Sequence, residues 1–111
     1  MAKRIVYDVK PFTGWVDIKD PIPYIATLKI SEAIQETNRL AKEEKTSSAA
    51  LLLYPALLEC VEAWEVNRVP KEVRIESLPG SPKAKADAFI AWLVQNIVDV
   101  YLGTGDIDPN E

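Results

Sequence analysis

Two β-rich runs lie between Arg4 and Lys19 and flank Pro11-Phe12-Thr13-Gly14. Alternation with a period of two belongs to strands, and a loop of proline and glycine between two such runs predicts a β-hairpin over about 4–19. Ile5, Tyr7 and Val9 alternate along the first strand. Val16 and Ile18 alternate along the second, which leaves Trp15, Asp17 and Lys19 on its other face. An isolated hairpin is marginal in water, so one of its faces must rest on helices.

Beyond the hairpin the period lengthens. Asp20-Pro21-Ile22-Pro23 predicts an extended connector, because each proline fixes its own backbone and biases the preceding residue away from helix. Tyr24 to Ile30 fits either a third strand or the approach to a helix. Ile30, Ile34, Thr37, Leu40 and Ala41 then fall on one narrow stripe, with Glu32, Gln35, Arg39, Lys42 and Glu43 away from it, which predicts an amphipathic helix over about 31–45.

Thr46-Ser47-Ser48 supplies caps for a second helix, predicted over about 49–66 and kinked or split at Pro55. Leu51, Leu52, Leu53 and Tyr54 point in all directions, so its first half should be buried all round. Past Pro55 the helical pattern is one-sided, with Leu57, Cys60, Val61 and Trp64 inward and Glu59, Glu62 and Glu65 outward. The last helix is predicted over about 82–102, with Ser81 as N-cap, Pro82 in the first turn and Gly103 at the C-terminal cap. Phe89, Ile90, Leu93, Ile97, Val98, Val100 and Tyr101 give it an apolar face broad enough for the central packing helix.

The expected fold is therefore mainly α: three to four helices forming one core, with the N-terminal hairpin packed on it. A single domain over 1–103 and a flexible acidic tail over 104–111 complete it. A chain of 111 residues suits one domain and buries roughly 65% of the surface its unfolded form exposes. Hydrophobic residues at 48% against charged residues at 27% describe a globular protein rather than a disordered one.

Charge narrows the partners. A net charge of −4, with no basic run longer than Lys3-Arg4, argues against nucleic acid and against an anionic membrane surface. The longest apolar run, Ala49 to Leu58, is too short to span a bilayer and is broken by Pro55. The start lacks the apolar stretch of a secretory signal, so the expected location is the cytoplasm.

Chemistry is sparse. The chain has no histidine, which removes the commonest general base and metal ligand, so no catalytic residue and no enzyme activity is expected. Cys60 is the only cysteine and lies among apolar neighbours, where a thiol stays protonated and inert. Glu59, Glu62 and Glu65 read as a solvated face, and Asp106, Asp108 and Asn110 imitate a calcium loop that the following Glu111 spoils, so no metal is expected. Gly14, Gly80, Gly103 and Gly105 are too scattered to cradle a phosphate, so no nucleotide or other cofactor is expected. What remains are Trp92, beside Lys85, Gln95, Asn96 and Asp99 on the helical wheel, and Trp15, which points with Asp17 and Lys19. Large aromatics on polar faces are typical interface anchors, so Trp15 and Trp92 are the candidate protein-contact residues.

Two stretches remain, Gly14-Trp15-Val16-Asp17-Ile18-Lys19-Asp20-Pro21 and a run from Val61-Glu62-Ala63-Trp64-Glu65-Val66 through Glu76-Ser77-Leu78-Pro79-Gly80 to Ala88-Phe89-Ile90-Ala91-Trp92-Leu93. Together they resemble small phage proteins, the tail assembly chaperones, and the first is similar to a short strand near the start of many of those chains. In that family a helix ending in a tryptophan precedes a Ser-Leu-like turn, a proline and a final helix. An acidic and aromatic pair often follows the turn there, whereas Lys83, Lys85 and Asp87 stand here with no aromatic before Phe89. The resemblance implies a non-enzymatic protein of the infected bacterium's cytoplasm that binds tape measure protein and tail tube protein during tail assembly; the position of Trp92 on a polar face separately leaves a homo-oligomer open. The alternative is a structural head-tail connector subunit or a small host-directed regulatory protein of a phage.

Overall fold

In a computed structural model, which describes residues 2–44 and 46–103, the hairpin stands where the alternation puts it. Strand β1 (Ala2–Val9) turns through Lys10-Pro11 into β2 (Phe12–Lys19), with Val9 opposite Phe12 and Ala2 opposite Lys19. Helix α1 (Tyr24–Lys42) and helix α2 (Thr46–Leu58) follow, then a third strand, β3 (Val61–Val66), a 3-10 turn at Ile75–Ser77 and helix α3 (Lys83–Leu102).

The third strand changes the fold class. The expected mainly α protein with a lone hairpin is instead an α+β protein, with a three-stranded antiparallel sheet in the order β1-β2-β3. The helix expected over 49–66 stops at Leu58, and its second half is β3. A bulge explains the disguise. Asp17 pairs with Ala63 but Ile18 pairs with Val61, so Glu62 has no residue opposite it. The extra residue puts Val61 and Trp64 on one face at a spacing of three, and from Leu57 to Trp64 the pattern then copies a helix. Hydrogen bonds from Lys19 N–H to the Cys60 carbonyl and from Asn67 N–H to the Thr13 carbonyl, both 2.8 Å, carry the pairing past both ends of β3.

Other boundaries shift for local reasons. Tyr24 to Ile30 forms the first turns of α1, which begins seven residues before the expected start. Pro23 ends the extended connector, and its carbonyl accepts the N–H groups of Ala26 and Thr27. Pro55 does not split α2; it stands in the last turn, three residues before the end. The first half of α2 is not buried all round either, since Leu51 and Leu52 are exposed and Leu53 and Tyr54 half-buried. At α3 the capping position falls on Pro82 rather than Ser81, and the Pro82 carbonyl accepts the Ala86 N–H at 2.8 Å. Gly103 caps the other end in the left-handed conformation, φ 72°, as its position predicts. Residues 104–111 and the calcium-loop imitation within them lie outside the described residues.

The core lies between one face of the sheet and the helices. Phe12, Val16, Ile18, Val61, Trp64 and Val66 point inward from β2 and β3, and α3 answers with Ala86, Phe89, Leu93 and Ile97. Leu57 and Leu58 of α2 join this core, and α1 packs along α2 through Ala26 and Ile30. Gly14 lets β3 approach closely, because a Cβ there would overlap the Glu65 carbonyl oxygen and stand 2.7 Å from Val66 Cα. The Trp64 indole N–H donates to the Pro70 carbonyl at 2.7 Å, which ties down the loop after β3 and satisfies the buried ring. No described helix is long and apolar enough to cross a membrane.

Candidate protein-interaction surfaces

Trp15 and Trp92, the two candidate contact residues, lie on opposite sides of the sheet. Trp15 is half-buried on the outer face, where Val6 and Glu65 are its cross-strand partners. The Arg4 guanidinium stacks on the Trp15 ring at 3.8 Å and grips the Asp17 carboxylate with two hydrogen bonds, Nε at 2.8 Å and Nη2 at 3.0 Å. Arg4 faces Asp17 directly across the strands, so the fork follows from the hairpin register. The hydrogen bond from Arg4 lowers the Asp17 pKa below the ordinary carboxylate value; desolvation opposes it, and the Arg4 charge adds to the lowering.

Trp92 belongs to α3 and is half-buried against the core. Its ring centroid is 4.7 Å from that of Tyr7 and 5.9 Å from that of Phe89, and Tyr7 and Phe12 approach Phe89 at 5.3 and 5.7 Å. Part of each tryptophan therefore covers its own chain. The helical wheel sets Trp92 apart from the stripe of Phe89, Leu93 and Ile97, and it cannot show that Tyr7 of β1 extends over that flank of α3 and draws Trp92 against the core.

Cys60 is fully buried, and burial pushes its thiol up to about 11, against a smaller downward pull from Lys19. The three glutamates do not act together: Glu59 pairs with Lys29 at 3.0 Å, Glu65 stands 3.6 Å from Lys71, and Glu62 is the bulge residue. Among the described residues no three His, Cys, Asp or Glu side chains gather as a metal site would require.

The sequence pattern missed the exposed apolar surface of the helical layer. Tyr24, Ile25, Leu28 and Ile34 of α1 and Leu51 and Leu52 of α2 are all exposed. Between this helix pair and the C-terminal half of α3 runs a groove of about 200 Å³, floored by Ile30, Leu53, Leu57 and Val94 and bounded by Ile34, Val98, Tyr101 and Leu102. Its lining carries no charged side chain. A larger open cleft of about 630 Å³ mixes apolar residues with Lys19, Glu59, Arg74 and Glu76. Within it Glu59 is engaged by Lys29, and Arg74 by Glu72 at 2.8 Å. Among the described residues the apolar groove is thus an uncharged surface with no ion pair of the chain's own to engage it. The signal for it was available as a continuation of the α1 stripe back through Ala26, but the partial exposure of that stripe depends on where α3 ends.

Comparison with protein-family models, with curated proteins and with solved structures finds no match. The likeness to tail assembly chaperones also loses one of its parts, because Trp64 closes no helix and sits within β3. Gly14 to Lys19 lie within β2, and α3 follows the 3-10 turn at Ile75–Ser77.

Proposed function

We propose that this chain is a non-enzymatic phage tail assembly chaperone that binds the tape measure protein, and tail tube subunits with it, while the tail is built in the host cytoplasm. The observation that carries this reading is the uncharged groove between α1, α2 and α3, continued outward by exposed Ile34 and Leu102. An amphipathic helix recognises such a groove by laying its apolar stripe along it, with anchors spaced three and four residues apart. A tape measure exposes stripes of this kind until tube subunits enclose it, and a small protein can cover them reversibly. The remaining resemblance of the Gly14 to Pro21 strand and the Glu76 to Leu93 stretch supports the same reading.

Co-expression with the tape measure protein of the same phage tests it. The tape measure should stay soluble and co-purify with this chain, and Leu102→Asp, which places a charge at the 61% exposed rim of the groove, should abolish both effects without unfolding the chain. A tape measure no more soluble with this protein than without it, together with a fixed copy number of this protein in finished virions, would replace the chaperone by a connector subunit.

A further inference from the structure

Strand β1 ends the sheet, and beyond its ladder to β2 no hydrogen bond among the described residues engages its main chain from Arg4 to Val9. Long edges of this kind are normally guarded by proline, a bulge or outward charge, because their free N–H and C=O groups template another strand. Here β1 is eight residues long and pairs with β2 without a bulge, and proline comes only after it, at Pro11. Of its outer-face charges, Arg4 is already matched by Asp17 across the hairpin, with its side chain still 56% exposed. At the middle of the strand Val6 is 68% exposed.

We propose that β1 is the docking edge for a second copy of this chain, in a two-fold dimer centred on Val6 that joins two sheets into one antiparallel sheet. The register follows from charge and facing. Opposed residues in an antiparallel pair share a face, and Arg4, Val6 and Asp8 occupy the outer face of β1. With the axis at Val6, Val6 meets Val6, Arg4 meets Asp8 of the second copy, and on the inner face Ile5 meets Tyr7. An axis at Ile5 sets Arg4 against Val6, and one at Tyr7 sets Arg4 against Lys10. Only the Val6 axis gives Arg4 and Asp8 opposite charges to face, twice by symmetry. Asp8 has no ion-pair partner among the described residues, and the Arg4 guanidinium keeps N–H donors beyond the two that Asp17 uses.

The apolar side chains agree with this register. Within one copy Trp15 stands opposite Val6, so the joined outer face carries Trp15, Val6, Val6 and Trp15 in one row across the junction. Trp92, packed 4.7 Å from Tyr7, lies beneath the same edge. Both candidate tryptophans flank this junction, whereas the groove proposed for the tape measure lies among the helices, so the two surfaces can be occupied together.

Sedimentation equilibrium of the full chain over a concentration series reads the association. The wild type should dimerise, and Val6→Lys, which sets like charges on the axis, should weaken dimerisation about tenfold or more with an unchanged thermal midpoint. Mixing Val6→Lys with Val6→Glu chains should restore dimers that neither forms alone. Under oxidation Val6→Cys should crosslink to itself and Asp8→Cys should not, which checks the register even if the charged variants fold poorly. A wild-type monomer at about 1 mM, where even millimolar affinity would register, overturns the proposal. A dimer indifferent to Val6→Lys, or crosslinking at Asp8→Cys instead of Val6→Cys, overturns it as well. A wild-type monomer whose Val6→Lys variant loses a foreign partner would assign the edge to that partner's strand instead.

Discussion

The sheet with α3 and the helix pair α1–α2 spend their apolar residues differently. Between the sheet and α3, Phe12, Val16, Ile18, Cys60, Phe89, Leu93 and Ile97 are almost completely buried, and four aromatic rings pack edge and face against one another. The helix pair buries Ala26, Ile30, Leu40, Leu57 and Leu58 but leaves six large apolar side chains exposed. Burial of an apolar side chain stabilises a fold by roughly 1.5–3 kcal/mol, whereas an exposed one contributes almost nothing. The difference teaches that the first region holds the molecule together, while much of the second region's hydrophobicity is available for contacts outside the chain.

The largest expected effect therefore belongs to the first region. Phe89 touches Tyr7, Phe12 and Trp92, so Phe89→Ala removes one ring and deprives three others of contacts at once. We expect a loss of about 3–5 kcal/mol by denaturant titration. A loss under about 1 kcal/mol, within the range of ordinary surface substitutions and conservative swaps, would erase the distinction between the two regions.

The sequence made this region legible in part. The hairpin was readable because Ile5, Tyr7, Val16 and Ile18 keep a strict period of two across a proline and glycine loop. The α3 helix was readable because Gly103 marks its end and its stripe stays regular. Strand β3 was not, because the bulge at Glu62 converts a strand period into spacings of three and four, and because apolar residues run continuously out of α2 into it. Gly14 carried a hint that only the sheet interprets. A glycine within a strand marks close approach of another backbone, and the approaching backbone is the one mistaken for helix. For the candidate surfaces, the aromatic positions were readable and their partial burial was not, since it depends on which strand lies over which helix.

Gly14 also yields the next expected effect, which separates the β2–β3 seam from the hairpin. In Gly14→Ala the new methyl group overlaps the Glu65 carbonyl, and main chain rather than a flexible side chain would have to yield. Overpacking of this kind costs about 1–3 kcal/mol. The loss should appear as faster amide exchange in β3, with the Arg4–Asp17 side of the hairpin less affected. Wild-type stability in this variant would mean that β3 docks more loosely than the register of Gly14 opposite Val66 requires.

The smallest expected effect on stability comes from the second region and sharpens the comparison most. Leu28 and Leu51 are large, apolar and exposed, at 49% and 66%, on α1 and α2 respectively. If their hydrophobicity serves contacts beyond the chain, Leu28→Ser and Leu51→Ser should each change unfolding free energy by no more than about 0.5 kcal/mol. Serine is a slightly poorer helix former than leucine, so the sign of the small change should be destabilising. The same variants should lower the binding of hydrophobic dyes by the folded protein, because contiguous apolar patches are what such dyes report. A loss of several kcal/mol at either position would mean that the leucine is part of the fold, and that the helical layer, like the core between β2 and α3, keeps its apolar residues for itself.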